Sequence, residues 1–61
     1  MKYIGTIYMD ASSSARSFDT PRDAEHWLDE QNNNLEYATK VDIVDDKWNV
    51  VDSYWYTEAA Q

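Results

Sequence analysis

The 61-residue chain contains no cysteine, one glycine and one proline. Without cysteine it has neither a disulfide nor a thiolate metal site, which removes two common means of stabilising a very small protein and fits a reducing compartment. A glycine-rich phosphate-binding loop is excluded as well, because Gly5 is the single glycine. The core alone, or a second copy of the chain, has to stabilise a domain that buries only about 60% of its unfolded surface.

Long apolar runs are also missing from the sequence. No stretch approaches the roughly 20 apolar residues of a membrane helix, and residues 1–6 lack the apolar segment of a secretory signal. We therefore expect one domain over residues 1–61, located in the cytoplasm and not bound to a membrane.

Basic residues are scarce, since five Lys and Arg face twelve Asp and Glu and the net charge is −7. A surface of this sign repels phosphates, so we expect no direct binding to nucleic acid and a partner that is basic. Solubility and adaptation to high salt are competing explanations, although solubility alone needs only a modest net charge. The three Trp and five Tyr indicate a folded domain, because a disordered acidic tail would lack them.

The clearest local signal marks the start of a helix at Pro21. Thr20 is an N-cap residue suited to accept a hydrogen bond from the amide of Asp23, and proline is favoured at the first helical position. We expect residues 32–34, all asparagine, to end the helix in a left-handed conformation. The apolar stripe predicted to face the core comprises Ala24, Trp27, Leu28 and Gln31.

Four strands are predicted around this helix from β-branched and aromatic residues and from period-two alternation. Short hairpins make neighbouring strands antiparallel. The sequence thus predicts an α+β fold of order β-β-α-β-β, a small four-stranded antiparallel sheet with one helix packed on one face. The predicted strands are Tyr3–Met9, Arg16–Phe18, residues 35–44 and Val50–Thr57, with a loop at 11–15, a turn at 45–49 and a fraying tail at 58–61.

One face of such a sheet has no helix to cover it. Because side chains alternate along a strand, Tyr54 and Tyr56 share one face while Trp55 lies on the other. Aromatic side chains on an uncovered face are typical of a contact surface, since they bury a large area and keep a polar end in water.

No pattern typical of catalysis or of metal binding stands out. Paired carboxylates such as Asp45 and Asp46 would need a concave site that a one-helix domain can hardly form. The acidic segment from Asp42 to Asp52 lacks the glycine and the spacing of a calcium loop, and His26 has no second zinc ligand. We expect a protein that is not an enzyme and that uses no cofactor or metal.

The size, the element order and the acidity together resemble the small proteins that bacteriophages use to disable host machinery. These are inhibitors of host RNA polymerase, anti-CRISPR proteins and DNA mimics that block repair enzymes. The segment from Phe18 to Leu28 is similar to an F-x-T-x-x-x-A-x-x-W-[LI] helix entry of short phage reading frames. That pattern encodes a capped helix, and it assigns no functional residue.

These observations predict a small acidic protein-binding module that occludes a basic site, such as a nucleic-acid-binding site, on a host protein. A merely solvated acidic helix face is the plainer interpretation of the carboxylates. The alternative function is a structural homodimer that pairs uncovered sheet faces or edge strands. The residues predicted to contact the partner are Glu25, Asp29 and Glu30 from the helix and Asp42, Asp52, Tyr54 and Tyr56 from the sheet.

Overall fold

The computed structural model describes residues 1–32 and 36–57. It confirms the α+β class and the order strand, strand, helix, strand, strand. The elements are β1 (Lys2–Tyr8), β2 (Ser13–Phe18), α1 (Pro21–Gln31), β3 (Ala38–Val44) and β4 (Val50–Thr57).

The boundaries of three strands differ from the prediction. β1 is shifted by one residue, since it runs from Lys2 to Tyr8 and not from Tyr3 to Met9. β2 begins at Ser13, because the small polar residues expected in a loop pair their backbone with β1 and need no apolar side chain to do so. β3 begins at Ala38. The preceding residue, Tyr37, makes hydrogen bonds through its backbone N–H and C=O with the side chain of Asn32. The predicted start of this strand at residue 35, the asparagines at 33 and 34, and the fraying tail at 58–61 lie outside the described residues.

The sheet has the order β2-β1-β3-β4, and each strand is antiparallel to its neighbour. β1 and β3 are therefore central, while β2 and β4 form the edges. α1 connects β2 to β3 and packs mainly on β1. Gly5, in the middle of β1, permits this close approach: a Cβ added there would lie 3.3 Å from Cγ of Leu28.

The hydrophobic core lies between α1 and the two central strands. The predicted helix stripe is confirmed for Ala24 and Leu28, which are fully buried, and for Trp27, which packs half-buried against Phe18. It is wrong for Gln31, which is exposed at the last helical position. Four buried residues form the core cluster, and Val44 is buried as well; the four are Ile7, Ala24, Leu28 and Val41.

Hydrogen bonds fix both ends of α1. Oγ1 of Thr20 accepts a 3.1 Å hydrogen bond from the amide of Asp23, as predicted. Asn32 is the C-cap, but with φ of −107° it is not left-handed as we expected. Its side chain is instead 3% exposed and makes two hydrogen bonds to the backbone of Tyr37, at 2.9 and 3.2 Å. These bonds join the end of the helix to the start of β3.

The predicted turn between β3 and β4 is organised by Asp45. Its Oδ1 accepts hydrogen bonds from the amides of Lys47 and Asn49, both at 2.9 Å, and these two bonds lower the pKa of the Asp45 carboxyl below its ordinary value. Trp48 closes the turn with φ of 65°, a left-handed conformation that usually selects glycine. Its side chain is 56% exposed, so the ring does not gain burial in return.

Candidate protein-binding surface

The strongest candidate surface lies where α1 faces β4. The helix packs on β1, β2 and β3, and two tyrosines of β4 bridge the remaining gap to it. The hydroxyl of Tyr54 donates a 2.6 Å hydrogen bond to Oε2 of Glu25, and the hydroxyl of Tyr56 donates a 2.9 Å bond to Oδ2 of Asp29. We call these four residues the tyrosine–carboxylate seam.

Local rules place the four side chains together. Glu25 and Asp29 are four residues apart, so they lie on one side of α1. Tyr54 lies opposite Val41, a core residue beneath the helix, so it faces the helix side of the sheet. Trp55 pairs with Lys40 and Thr57 pairs with Thr39, so the register shifts by one residue and Tyr56 lies between the two pairs. Its hydrogen bond to Asp29 shows that Tyr56 is directed toward the helix.

The electrostatics of the seam keep both phenols protonated. Burial, followed by the hydrogen bond and the negative charge of Glu25, raises the pKa of Tyr54 to about 12. The hydrogen bond to Asp29 is the main cause of the raised pKa of Tyr56. Both hydroxyls therefore stay donors at neutral pH, and the carboxylates of Glu25 and Asp29 accept their hydrogen bonds.

The seam still has unused capacity for hydrogen bonds. A carboxylate offers about four acceptor positions, and one tyrosine occupies one of them. The hydrogen bonds to Glu25 and Asp29 are exposed, and Tyr54 itself is 36% exposed. Lysine or arginine side chains from outside can thus reach two carboxylates whose positions are already set.

Glu30 lies on the other flank of α1, away from the seam. Its Oε1 is 2.6 Å from Nε2 of His26, one helical turn earlier. Both residues line an open cleft of about 290 Å³ between α1 and β2. The residues lining the cleft are Arg16, Phe18, Asp23, His26, Trp27 and Glu30. Glu30, which we predicted together with Glu25 and Asp29, therefore lies on a different flank of the helix from those two residues.

Asp42 also lies apart, because it points to the open face of the sheet, opposite the helix. It pairs with Ile4 and Ser53 on the neighbouring strands, and its Oδ1 is 3.5 Å from Nζ of Lys40. That oxygen is buried and makes no hydrogen bond within the part of the chain the structure describes. The ammonium group of Lys40 partly offsets the charge of Asp42, whose side chain is 18% exposed.

Asp52 lies on the helix side of β4, opposite Ile43 and two residues before Tyr54. It adds a third carboxylate to the side of β4 that carries the seam. Its Oδ1 accepts a 2.8 Å hydrogen bond from the amide of Ser53. Of the seven predicted residues, the structure brings five to one side of β4: Glu25, Asp29, Asp52, Tyr54 and Tyr56.

The open face carries an aromatic pair that we did not select from the sequence. The rings of Tyr8 and Trp55 are tilted at 5.8 Å between centroids, and they are 41% and 55% exposed. Nζ of Lys40 lies 5.6 Å from the Trp55 ring, within cation–π range. Alternation had already separated Trp55 from its tyrosine neighbours, but the sequence did not indicate which of the two faces the helix covers.

Among residues 1–32 and 36–57, no group of three or more His, Asp or Glu side chains is arranged to hold a metal ion. Within the same residues, α1 has neither the length nor the apolar character of a membrane-crossing helix. No protein-family model, curated protein or solved structure matches the chain.

Proposed function

We propose that the protein is a non-enzymatic binding module that docks the tyrosine–carboxylate seam on a basic surface of another protein and blocks access to it. The observation that carries this proposal is the pair of hydrogen bonds from Tyr54 to Glu25 and from Tyr56 to Asp29. They hold two carboxylates in place before a partner binds. Less conformational entropy is therefore lost when the complex forms.

The charge distribution of the chain supports the same proposal. Two of the five basic residues are engaged elsewhere, because Lys2 pairs with Asp19 and Lys40 lies beside Asp42. The net charge of −7 steers a basic partner toward the protein, and partly exposed tyrosines supply the aromatic area typical of binding hot spots. The resemblance to phage-encoded inhibitors suggests a host protein as the target.

The experiment compares two variants that each lose two negative charges. Glu25→Gln with Asp29→Asn changes the seam and keeps an acceptor for each tyrosine, whereas Asp10→Asn with Asp46→Asn changes exposed residues outside it. Binding of a fluorescent oligolysine is measured by anisotropy at low salt. We expect the seam variant to lose about tenfold in affinity and the control less than about twofold.

Equal losses in the two variants would show that net charge alone attracts the probe, and would refute the seam as the binding site. The natural target is then sought by capture from a lysate, with the seam variant as the negative control. A target that the seam variant captures as well as the unchanged protein does would also contradict the proposal.

A second candidate function is homodimerisation through the open face, which the exposed pair of Tyr8 and Trp55 favours. An apolar self-interface holds or tightens as salt rises, whereas an electrostatic complex weakens. Sedimentation at low and high salt, with Trp55→Ala as the comparison, distinguishes the two. A dimer at every salt concentration that Trp55→Ala dissociates would favour self-association.

A further inference from the structure

We infer that the outer edge of β4 binds an extended peptide segment of the partner as a fifth strand, one whose side chains alternate between basic and apolar. This inference rests on the proposed function and specifies the chemistry of the partner at the same site. It follows from the edge position of β4, from the side chains on its two faces, and from the negative charge that disfavours a second copy.

The edge of β4 lacks two of the usual protections against pairing. Edge strands commonly carry lysine or proline to discourage an added strand. The sequence of β4, VVDSYWYT, contains neither. Between two irregularities of register, residues 52–55 pair regularly with β3, which leaves a short regular segment for a guest strand. The amide of Ser53 donates a 2.8 Å hydrogen bond to Oδ1 of Asp52. We take this amide to face outward, so a guest strand that accepts from it displaces the Asp52 carboxylate.

The two faces of β4 call for different side chains in the guest. On the helix side, a guest strand lies beside Asp52, and the carboxylates of Glu25 and Asp29 lie beyond the side chains of Tyr54 and Tyr56. All three carboxylates attract the long side chains of lysine or arginine. On the open side the guest strand meets Ser53 and the exposed ring of Trp55, which favours apolar contact. Because side chains alternate along a strand, one extended segment satisfies both faces only if basic and apolar residues alternate.

A second copy of the chain is the less favourable occupant. Antiparallel pairing of two β4 strands would place both sets of Glu25, Asp29 and Asp52 on the same face of one continuous sheet. Like charges on neighbouring strands repel, and each copy already carries a net charge of −7. Charge complementarity thus selects a basic guest.

The test uses two fluorescent peptides of identical composition. In the first, lysine and valine alternate; in the second, the lysines and valines form separate blocks. Anisotropy at low salt should show the alternating peptide binding about tenfold more tightly to the unchanged protein. Amide chemical shifts of labelled protein should change along β4 and not along β2, the other edge, which serves as an internal control and requires no mutation.

Matched variants at Ser53 test the backbone contact. Ser53→Pro removes the outward amide, and proline is tolerated in edge strands. Ser53→Ala keeps that amide. We expect Ser53→Pro to reduce the preference for the alternating peptide to less than about twofold, while Ser53→Ala retains it.

The outcomes separate this inference from the proposed function. Equal binding of the two peptides, with both weakened by Glu25→Gln and Asp29→Asn, would refute edge pairing and leave the seam as a binding site. No binding of either peptide would overturn both proposals. Shift changes along β4 that depend on protein concentration and that the alternating peptide does not displace would identify a second copy as the occupant and overturn the inference.

Discussion

Tyr54 and Glu25 are joined by a 2.6 Å hydrogen bond between the edge strand β4 and a helix that packs mainly on the strands beyond it. The bond fixes the position of a charged group on α1 through a residue 29 positions later in the chain. Tyr56 repeats the arrangement with Asp29. The geometry of the acidic surface therefore depends on the sheet as well as on the helix.

The first prediction concerns Tyr54→Phe, which removes this bond and keeps the ring. We expect the free energy of unfolding at neutral pH to fall by about 1 kcal/mol, a modest value because the site is partly exposed to solvent. The raised pKa of Tyr54 makes the stabilisation complete below pH 10, the ordinary value, and lost as pH rises through about 12.

Urea unfolding of both proteins at several pH values measures this difference. A gap between them that persists unchanged above pH 12 would contradict the assigned bond. Titration of tyrosinate absorbance provides the control, because Tyr54→Phe should remove a group that titrates at about pH 12.

Asn32→Ala should lower the free energy of unfolding by about 2 kcal/mol. The substitution removes the two hydrogen bonds that the side chain of Asn32 makes to the backbone N–H and C=O of Tyr37. Asn32 is buried, so these two backbone groups lose their partners where little water can replace them. Thermal unfolding measures the loss. The neighbouring exposed Gln31→Ala is the control and should change stability by less than about 0.5 kcal/mol.

Gly5→Ala should destabilise the protein by about 1 kcal/mol. The new methyl group would lie 3.3–3.5 Å from three side-chain atoms of Leu28. Alanine also lowers the entropy of the unfolded chain, which stabilises the fold, but we expect the cost of overpacking to be larger. The same substitution in a Leu28→Val background should cost less, because the facing side chain is shorter. Equal costs in the two backgrounds would show that Leu28 is not the opposing group.

Thr39→Val should stabilise the protein by about 1 kcal/mol. Thr39 is fully buried, and its Oγ1 makes no hydrogen bond to the residues that the structure describes. Valine has nearly the same shape and no hydroxyl to desolvate. Thr39→Ser, which keeps the hydroxyl and loses the methyl group, should destabilise. A loss of stability in Thr39→Val would reveal a partner for that hydroxyl.

Trp48→Gly should raise the free energy of unfolding by up to about 1 kcal/mol, because glycine adopts a φ of 65° without the steric cost that tryptophan meets. Trp48→Ala keeps that cost and should bring no gain. Chemical denaturation of the three proteins tests this prediction. If alanine stabilised as much as glycine, the exposed ring rather than the backbone would be the source of the strain.

Much of the fold was readable from the sequence because its signals are local. Thr20 and Pro21 set the start of α1, and the alternation of residues 50–57 gave the bounds of β4 correctly. The same alternation separated Tyr54 from Trp55. Each of these inferences depends on neighbours within a few residues of the chain.

The arrangement of the site was less predictable because it depends on contacts between distant segments. Chain order does not reveal that β1 lies between β2 and β3, nor which sheet face the helix covers. Without that information the partners of Tyr54 and Tyr56 were unknown. Asp42 and Glu30 looked equivalent to Glu25 in the sequence, yet the fold places them on other surfaces.

The central position of β1 also has a consequence for how the chain folds. β1 is complete at Tyr8, but its pairing with β3 joins Tyr8 to Ala38 and Lys2 to Val44. The β1–β2 and β3–β4 hairpins form from contacts between residues close in sequence. The β1–β3 pairing instead requires the intervening chain, which contains all of α1, to close into a loop. Such long-range pairing slows folding, so the rate-limiting step should be the docking of the β3–β4 hairpin onto β1.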